Sequence, residues 1–334
     1  MQSELIRWYI HNKRKLPFRD IRDPYKIWIS EIMLQQTTVQ AVIPYYLHFI
    51  EVFPDIKTLA KASLDDVYKC WEGLGYYRRA KHIYETAQVI HIKYHDTFPD
   101  DYNTILSLKG IGPYTAGAIC SFAFNQSYGA IDGNALRVLS RVYRISDNIA
   151  LNKTVNTIRN LANQLIVGYD SSSFNQGLMD LANAICKPLN PLCKDCPLNK
   201  VCKAYHYHEE KVLPINIKKI KKTETSYITG YITYQNKIML IKNKSGLLEN
   251  MYGLLQYEAE SPYTFIEYFY NEYHADLTVN AFIKDFKHIF THRTWYMHVY
   301  HFTLNKDIPA LFSSYDTLTI PTAHKKILDY INKT

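Results

Sequence analysis

Residues 108–145 read LKGIGPYTAGAICSFAFNQSYGAIDGNALRVLSRVYRI, and two signals in that stretch decide the architecture. The first is a glycine turn between two helical patterns. Gly110 and Gly112 permit a tight turn with close backbone approach, and Pro113 suits the first position of the next helix. The free N–H groups at such a helix start favour an anion. No side chain in the turn can read a base, so a phosphate backbone held there is held without sequence preference. The second signal is Asp132, directly ahead of the helical run GNALRVLSRVYRI. Aspartate is a preferred N-cap. A helix N-terminus is expected to keep that carboxylate ionised, and an ionised carboxylate can stabilise a developing cation, so cap and chemistry are compatible roles.

Around this stretch, the chain of 334 residues has room for roughly two domains. Hydrophobic residues make up 47%, enough for real cores, and the net charge of +8 suits a polyanionic partner. The 29 tyrosines can stack on bases or serve as amphipathic core and surface. The N-terminal MQSELIRWYIHNKRKLPF lacks the apolar stretch of a signal peptide. No apolar run approaches the ~20 residues of a membrane-spanning helix. A soluble, cytoplasmic protein is expected, with its six cysteines outside disulfides. Cys70 and Cys120 fall in helical apolar patterns and read as buried packing thiols.

In chain order, residues 2–12 predict a short amphipathic helix, followed by a loop marked by Pro17 and Pro24. Arg19 and Arg22 in that loop either meet phosphates or face solvent. Residues 27–39 predict a helix, and Pro44 opens a second. Glu31 has Ile27, Trp28 and Leu34 at helical spacing, so it lies on or beside the apolar face. A carboxyl there either reaches solvent at the edge of the stripe or is desolvated, with a raised pKa suited to a general acid. Residues 58–95 predict two helices joined by WEGLGYYRRAKHI, where Tyr76, Tyr77, Arg78 and Arg79 mix aromatic and cationic groups at a glycine turn. Residues 154–185 predict helix again.

Cys186, Cys193, Cys196 and Cys202 follow with spacing C-x6-C-x2-C-x5-C. Paired CxxC units would be more usual for a zinc site, and a single CxxC between longer arms fits a [4Fe–4S] cluster better. Lysines interleave with these cysteines. The pattern breaks over 204–226, read as a linker with Lys218, Lys219, Lys221 and Lys222 clustered in it. Beyond it the period changes. SYITGYITYQNKIMLIKN predicts two strands about a Gln235-Asn236 turn, and RTWYMHVYHFTL alternates with Trp295, Met297 and Val299 on one face. A helix at about 262–275 lies between, giving a separate α+β domain.

These residues resemble the adenine-DNA glycosylases of the MutY type, within the helix-hairpin-helix glycosylase superfamily. The resemblance covers nearly the whole chain. It rests on DPYKIWISEIMLQQTTVQAVIPYY, WEGLGYYRRA, LKGIGPYTAGAI, IDGNALRVLSRVY, FNQGLMDLANAIC and the cysteine spacing. It implies an all-α catalytic region over 1–212. A helix-hairpin-helix barrel occupies about 20–132 of it, and 1–19 with 133–212 form a cluster subdomain. A linker at 213–224 and a nudix-like α+β domain at 225–334 complete the chain. The implied activity is monofunctional base excision, removing adenine mispaired with 8-oxoguanine, or with guanine, from double-stranded DNA. The implied protein is a monomer in the cytoplasm, associated with the nucleoid and with no membrane.

The resemblance also assigns roles. Glu31 is the acid that protonates adenine at N7, and Asp132 the carboxylate that stabilises the cationic sugar. Tyr114 and Asn134 position and support these two. Gln36 and Tyr76 wedge into the duplex, and Gln176 lies near the flipped base. Arg19, Gly110 and Gly112 join them as DNA-binding residues. Phe290, Thr291 and His292 stand where the family has a Phe-Ser-His loop that reads the oxidised guanine. Thr291 keeps the hydroxyl of that serine and adds a methyl. Phe18 stands where Trp is common. The four cysteines hold a [4Fe–4S] cluster.

Elementary chemistry agrees with this division of labour. Adenine is a poor leaving group as an anion, so one carboxyl must stay protonated while the other stays ionised. The nearest alternative is an endonuclease III-like glycosylase/lyase acting on oxidised pyrimidines. That type carries a Schiff-base lysine in the hairpin, where this chain has Tyr114, which cannot form an imine. A nucleotide pyrophosphohydrolase would need an RExxEE motif, and after Gly253 only scattered acids such as Glu258, Glu267 and Glu272 occur. A silent lesion-binding protein has no use for both Glu31 and Asp132.

Overall fold

The computed structural model describes residues 1–217, 223–244, 248–290 and 292–333. They divide into two compact units, Met1–Val67 with Arg79–Lys218, and Tyr68–Arg78 with Lys219–Thr334. The expected lysine cluster at 218–222 and Thr291 lie outside the described residues.

The first unit is helical. In chain order the helices up to residue 107 are α1 (Gln2–Asn12), α2 (Pro24–Met33), α3 (Val39–Val52), α4 (Ile56–Lys61), α5 (Leu64–Cys70), α6 (Arg78–Tyr94) and α7 (Tyr102–Ser107), with the end of α5 and Arg78 assigned to the second unit. Then come α8 (Pro113–Phe124), α9 (Gly133–Tyr143), α10 (Asn152–Ile166), α11 (Ser171–Ala184) and the single turn α12 (Lys203–His206). Aspartate caps set many of the starts. Asp23, Asp55, Asp101, Asp132 and Asp170 each accept a backbone N–H at the head of a helix. Such a cap contributes about 1 kcal/mol. Leu5, Leu139, Ile158, Phe174 and Leu178 are fully buried in one core that joins α1 to α9, α10 and α11.

Several boundaries differ from the sequence-based expectation. The helix predicted over 27–39 ends at Met33, and residues 34–38 form a turn before α3. Pro44 lies inside α3 instead of opening a helix. Gln40, whose carbonyl thereby loses an N–H partner, is exposed, so water can take its place. Residues 58–95 hold α4, α5 and α6, because Ser63 and Asp66 form a reciprocal capping box that starts α5. Residues 154–185 break between α10 and α11, where Asp170 caps the new start. The first part of the expected linker is docked: Leu213 is buried and its carbonyl accepts from Arg141, while the Ile215 carbonyl accepts from the Ile149 N–H.

The second unit is built on a sheet of strands β1 (Thr223–Tyr234), β2 (Lys237–Met239), β5 (Leu255–Tyr257), β6 (Leu277–Ile289), β7 (Arg293–Leu304) and β8 (Leu311–Phe312). Strands β3 (Ile241–Lys242) and β4 (Tyr252–Gly253) pair separately. The order is β6-β7-β1-β2-β8, with β5 on β1. At its centre β1 and β7 run parallel, from Thr223 opposite Arg293 to Thr233 opposite Thr303. Alternation puts two cores on the two faces. Ile228, Ile232 and Phe302 face α13 (Pro262–Tyr273), while Trp295, Met297 and Val299 face α14 (Thr322–Ile331). The predicted hairpin about Gln235-Asn236 is present, with Tyr234 opposite Lys237. Within this unit the 68–78 segment is tied to α14 by Lys325, whose Nζ lies 2.6 Å from Glu72.

Candidate active site

Helix α2 carries Glu31 among the buried Ile27, Trp28, Ile29 and Ile32, and Glu31 itself is 7% exposed. The helix therefore places the carboxyl in the core instead of letting it reach solvent. Tyr114, the second residue of α8, donates its hydroxyl to Glu31 Oε2 at 2.6 Å. Burial pushes the Glu31 carboxyl above its ordinary range. The Tyr114 hydrogen bond and the Arg19 charge pull it back, and the nearby Asp132 adds to the rise.

Asp132 is the N-cap of α9. Its Oδ1 accepts from the Ala135 N–H at 2.8 Å, and its Oδ2 from Asn134 Nδ2 at 2.8 Å. Burial raises its pKa, and the bonds from Ala135 and Asn134 only offset that rise. Asn134 is held in turn by Arg137, whose Nη2 donates to Asn134 Oδ1 at 3.1 Å and whose Nε donates to the Cys186 carbonyl at 2.8 Å.

A third group lines the same region from α11. Gln176 is buried, and its Oε1 accepts from Tyr9 Oη at 2.5 Å and from Arg19. Arg19 also reaches Asp180 at 3.3 Å, and its side chain is only 10% exposed. The sequence allowed Arg19 to meet a surface phosphate or solvent; instead it is folded inward, where its charge acts on Glu31 and Gln176.

The hairpin between α7 and α8 separates its two glycines. Gly110 has φ +80°, and a Cβ there would lie 2.6 Å from His82, so the fold itself demands glycine. Gly112 has an ordinary φ of −95° and caps α8, and a Cβ there would meet nothing within 4 Å. Gln36 and Tyr76 are both exposed and both left-handed, at φ +59° and +52°. For non-glycine residues that conformation is uncommon and marks turns under constraint.

Cys186, Cys193, Cys196 and Cys202 line one cavity, walled by Val138, Leu181, Ile185 and Leu198 and reached by Arg141, whose Nη1 lies 3.3 Å from Cys186 Sγ. Among the described residues no three His, Cys, Asp or Glu side chains converge as ligands of a single ion. The thiols instead ring a space with apolar walls, a donor set and shape that fit a soft, multi-atom group. The expected packing thiols differ from one another: Cys120 is buried and Cys70 is half-exposed. In the second unit, Phe290 packs edge-on against Trp295 at 4.8 Å, its N–H closes the β6–β7 hairpin on the Arg293 carbonyl, and His292 is exposed.

Sequence reasoning missed Tyr9, Asp180, Arg137 and the role of Arg79. Asp180 leaves a trace, an acid inside the apolar run of α11. The others show no local signal, because their bonds to Gln176, the Gln35 carbonyl and the Ala182 carbonyl span 44 or more residues.

Residues 29–168 match the HhH-GPD superfamily of base excision DNA repair proteins. The adenine DNA glycosylase of Buchnera aphidicola subsp. Baizongia pistaciae is 39% identical over 312 residues, 90% of this chain and 86% of that protein. The chain belongs to the adenine DNA glycosylase family. The human adenine DNA glycosylase is 38% identical to this glycosylase over 221 residues, 64% of this chain and 40% of that protein. Among solved structures, a thermostable thymine-DNA glycosylase is similar with a TM-score of 0.56 and 31% identity, covering 61% of this chain and 94% of that one. Endonuclease III trapped on DNA shares the fold at a TM-score of 0.52 and 21% identity, covering 62% and 94%. The glycosylase is thus a base excision repair enzyme with a helix-hairpin-helix catalytic unit and a C-terminal sheet-containing domain, and among its described residues no helix is long and apolar enough to cross a membrane.

Proposed function

We propose that this glycosylase hydrolyses the bond between adenine and deoxyribose in duplexes where adenine is mispaired with 8-oxoguanine or guanine, leaving an abasic site without cutting the strand. The observation that carries the proposal is the Tyr114–Glu31 hydrogen bond of 2.6 Å beside a capped Asp132. Burial holds the Glu31 carboxyl toward its acid form, and the second carboxyl has both oxygens oriented by donors. Glu31 gives its proton to adenine N7, the C1′–N9 pair leaves with the base, Asp132 stabilises the sugar cation, and water adds to C1′ as its proton passes to the Glu31 carboxylate. General acid catalysis supplies roughly 10²–10⁴-fold of the rate. Gln176 and Arg19 line the pocket for the flipped base, Gln36 enters the gap it leaves, and Tyr76 is a further contact to the duplex. Extruding the base costs a few kcal/mol, offset by phosphate contacts at the 110–113 turn. The open space above Gly112 suits such an approach.

Cys186, Cys193, Cys196 and Cys202 would hold a [4Fe–4S] cluster, which when bound cross-links the 186–202 loop through its thiolates. We assign residues 225–334 to a nudix-like domain that reads the oxidised guanine through the hairpin at Phe290 and His292, and the protein to a cytoplasmic, nucleoid-associated monomer. The adenine base is a normal one, so discrimination must come from the opposite strand.

The test is strand scission after alkali on A:8-oxoguanine, A:G, A:T and thymine-glycol duplexes. Alkali-dependent cleavage of the first two is expected. Cleavage of thymine glycol without alkali, with trapping by borohydride, would point to the lyase alternative.

A further inference from the structure

The turn between α2 and α3 carries Gln36, and nothing assigned so far explains what fixes it. The guanidinium of Arg79, in the first turn of α6, enters this turn from one side. Its Nη1 donates to the carbonyls of Ile32 at 2.8 Å, Met33 at 2.9 Å and Gln35 at 2.5 Å, and its Nη2 to Thr37 Oγ1 at 3.2 Å. The last carbonyls of a helix have no partner within the helix and form its negative end. Arg79 therefore caps α2 with a permanent charge and a rigid fork of donors. From the other side, Gln35 Nε2 donates to Thr115 Oγ1 at 3.3 Å, one residue past Tyr114. Between these two anchors Gln36 stands exposed with φ +59°.

We propose that Arg79 is a positioning residue for base extrusion. It holds Gln36 in the left-handed conformation that presents its side chain to the duplex, and it fixes the end of α2 at Met33, two residues beyond Glu31. The donor set explains why arginine is needed: one ammonium group cannot serve three carbonyls and a hydroxyl from two nitrogens. This inference rests on the wedge role proposed for Gln36.

Four variants test it: Arg79→Met, Arg79→Lys, Gln36→Ala and the Arg79→Met/Gln36→Ala double. They are compared in single-turnover excision from an A:8-oxoguanine duplex, in affinity for the same duplex carrying an uncleavable 2′-fluoro adenosine, and in amide hydrogen exchange. Arg79→Met is expected to slow excision about tenfold while affinity changes less than about threefold, the signature of an interaction needed past the bound state. Arg79→Lys should recover little. Amides of residues 32–38 should exchange faster, with α9 and α11 unchanged. The double variant should be no slower than the slower single variant, because both act through one turn.

Multiplicative effects in the double variant would overturn the inference. So would parallel losses of affinity, excision and protection across the whole unit, which mark general support of the fold. An unchanged rate in Gln36→Ala would overturn the wedge role instead, and the exchange of residues 32–38 would then still decide whether Arg79 holds the turn. Thr37→Val, which removes one acceptor and keeps the guanidinium, is the milder variant should Arg79→Met fail to fold. About threefold slower excision is expected from it, and exchange unchanged at residues 32–38 would count against the proposal.

Discussion

Opposing forces meet at the Glu31 carboxyl. Desolvation raises its pKa, and the Tyr114 hydroxyl, by donating to Oε2, favours the ionised form. The proposed mechanism needs Glu31 protonated and Asp132 ionised, so the rate should fall above the raised pKa of Glu31 and below the raised pKa of Asp132. Tyr114→Phe removes the bond that favours the anion. Its alkaline limb should therefore move to higher pH in single-turnover profiles, with the acid limb in place; an alkaline limb that stays put would show that Tyr114 does not tune the acid. The same logic bears on stability. A carboxyl whose folded pKa is raised contributes stability that is full below its unfolded value and lost as pH rises through the folded one. Glu31→Gln keeps the shape and the acceptor without the charge. At pH 8 it should melt higher, by about 2–4 °C per ~1 kcal/mol, and should bind the A:8-oxoguanine duplex without excision. A lower melting temperature in calorimetry would contradict this. Glu31 was half legible in the sequence: helical spacing set it on or beside the apolar face, but left open whether it is buried or reaches solvent. The upward shift of Asp132 was not legible, because the cap is local and the groups that desolvate it come from distant helices.

Elements show the same split between local and remote causes. The Asp132 cap and the glycine turn ahead of Pro113 are written in short stretches, and the starts of α8 and α9 were readable. Boundaries inside long apolar patterns were not: the Ser63–Asp66 box and the Arg79 cap each override a continuing helical period. The two hairpin glycines give a paired prediction. Gly110→Ala meets both a left-handed φ and the His82 side chain, and should cost about 1–3 kcal/mol in urea unfolding. Gly112→Ala meets neither, so its stability should stay within about 0.5 kcal/mol, while affinity for duplex DNA drops about tenfold. Equal affinity losses in both variants at matched stability would remove Gly112 from the phosphate contact.

At the scale of the whole molecule, the sequence revealed two regions with different periods but not how they divide. The central β1–β7 pair is parallel and joins strands 70 positions apart, a register that no turn chemistry encodes. Strand β6 carries two bulges against β7, which blur the alternation that would have announced it. The second unit also holds a buried histidine. His324 Nδ1 accepts from the Leu254 N–H at 2.7 Å, Gln256 Oε1 lies 3.2 Å from Nε2, and burial depresses its pKa from 6.5 to about 4. A depressed histidine contributes stability that is present above pH 6.5 and lost as pH falls toward 4. At about 1.36 kcal/mol per pH unit the loss reaches roughly 3 kcal/mol. Unfolding of this unit followed between pH 7.5 and 4.5 should show it, and His324→Gln should flatten the dependence. Exposed His292 allows a gentler test of lesion reading than deletion. His292→Ala should lower the preference for 8-oxoguanine over guanine and leave excision from A:G near its original rate. An unchanged preference would take the reading role away from that residue.

The grouping of Tyr68–Arg78 with Lys219–Thr334 has a consequence for the order of biosynthesis. Tyr68 and Trp71 are almost fully buried, yet they leave the ribosome well before Lys325, the partner of Glu72, has been translated. The nascent N-terminal part therefore carries Glu72 with its Lys69 partner at 3.0 Å but without Lys325. A translation product stopped before residue 219 should show this segment as its site of proteolytic attack and chaperone capture, and the full-length chain should lose that sensitivity on release.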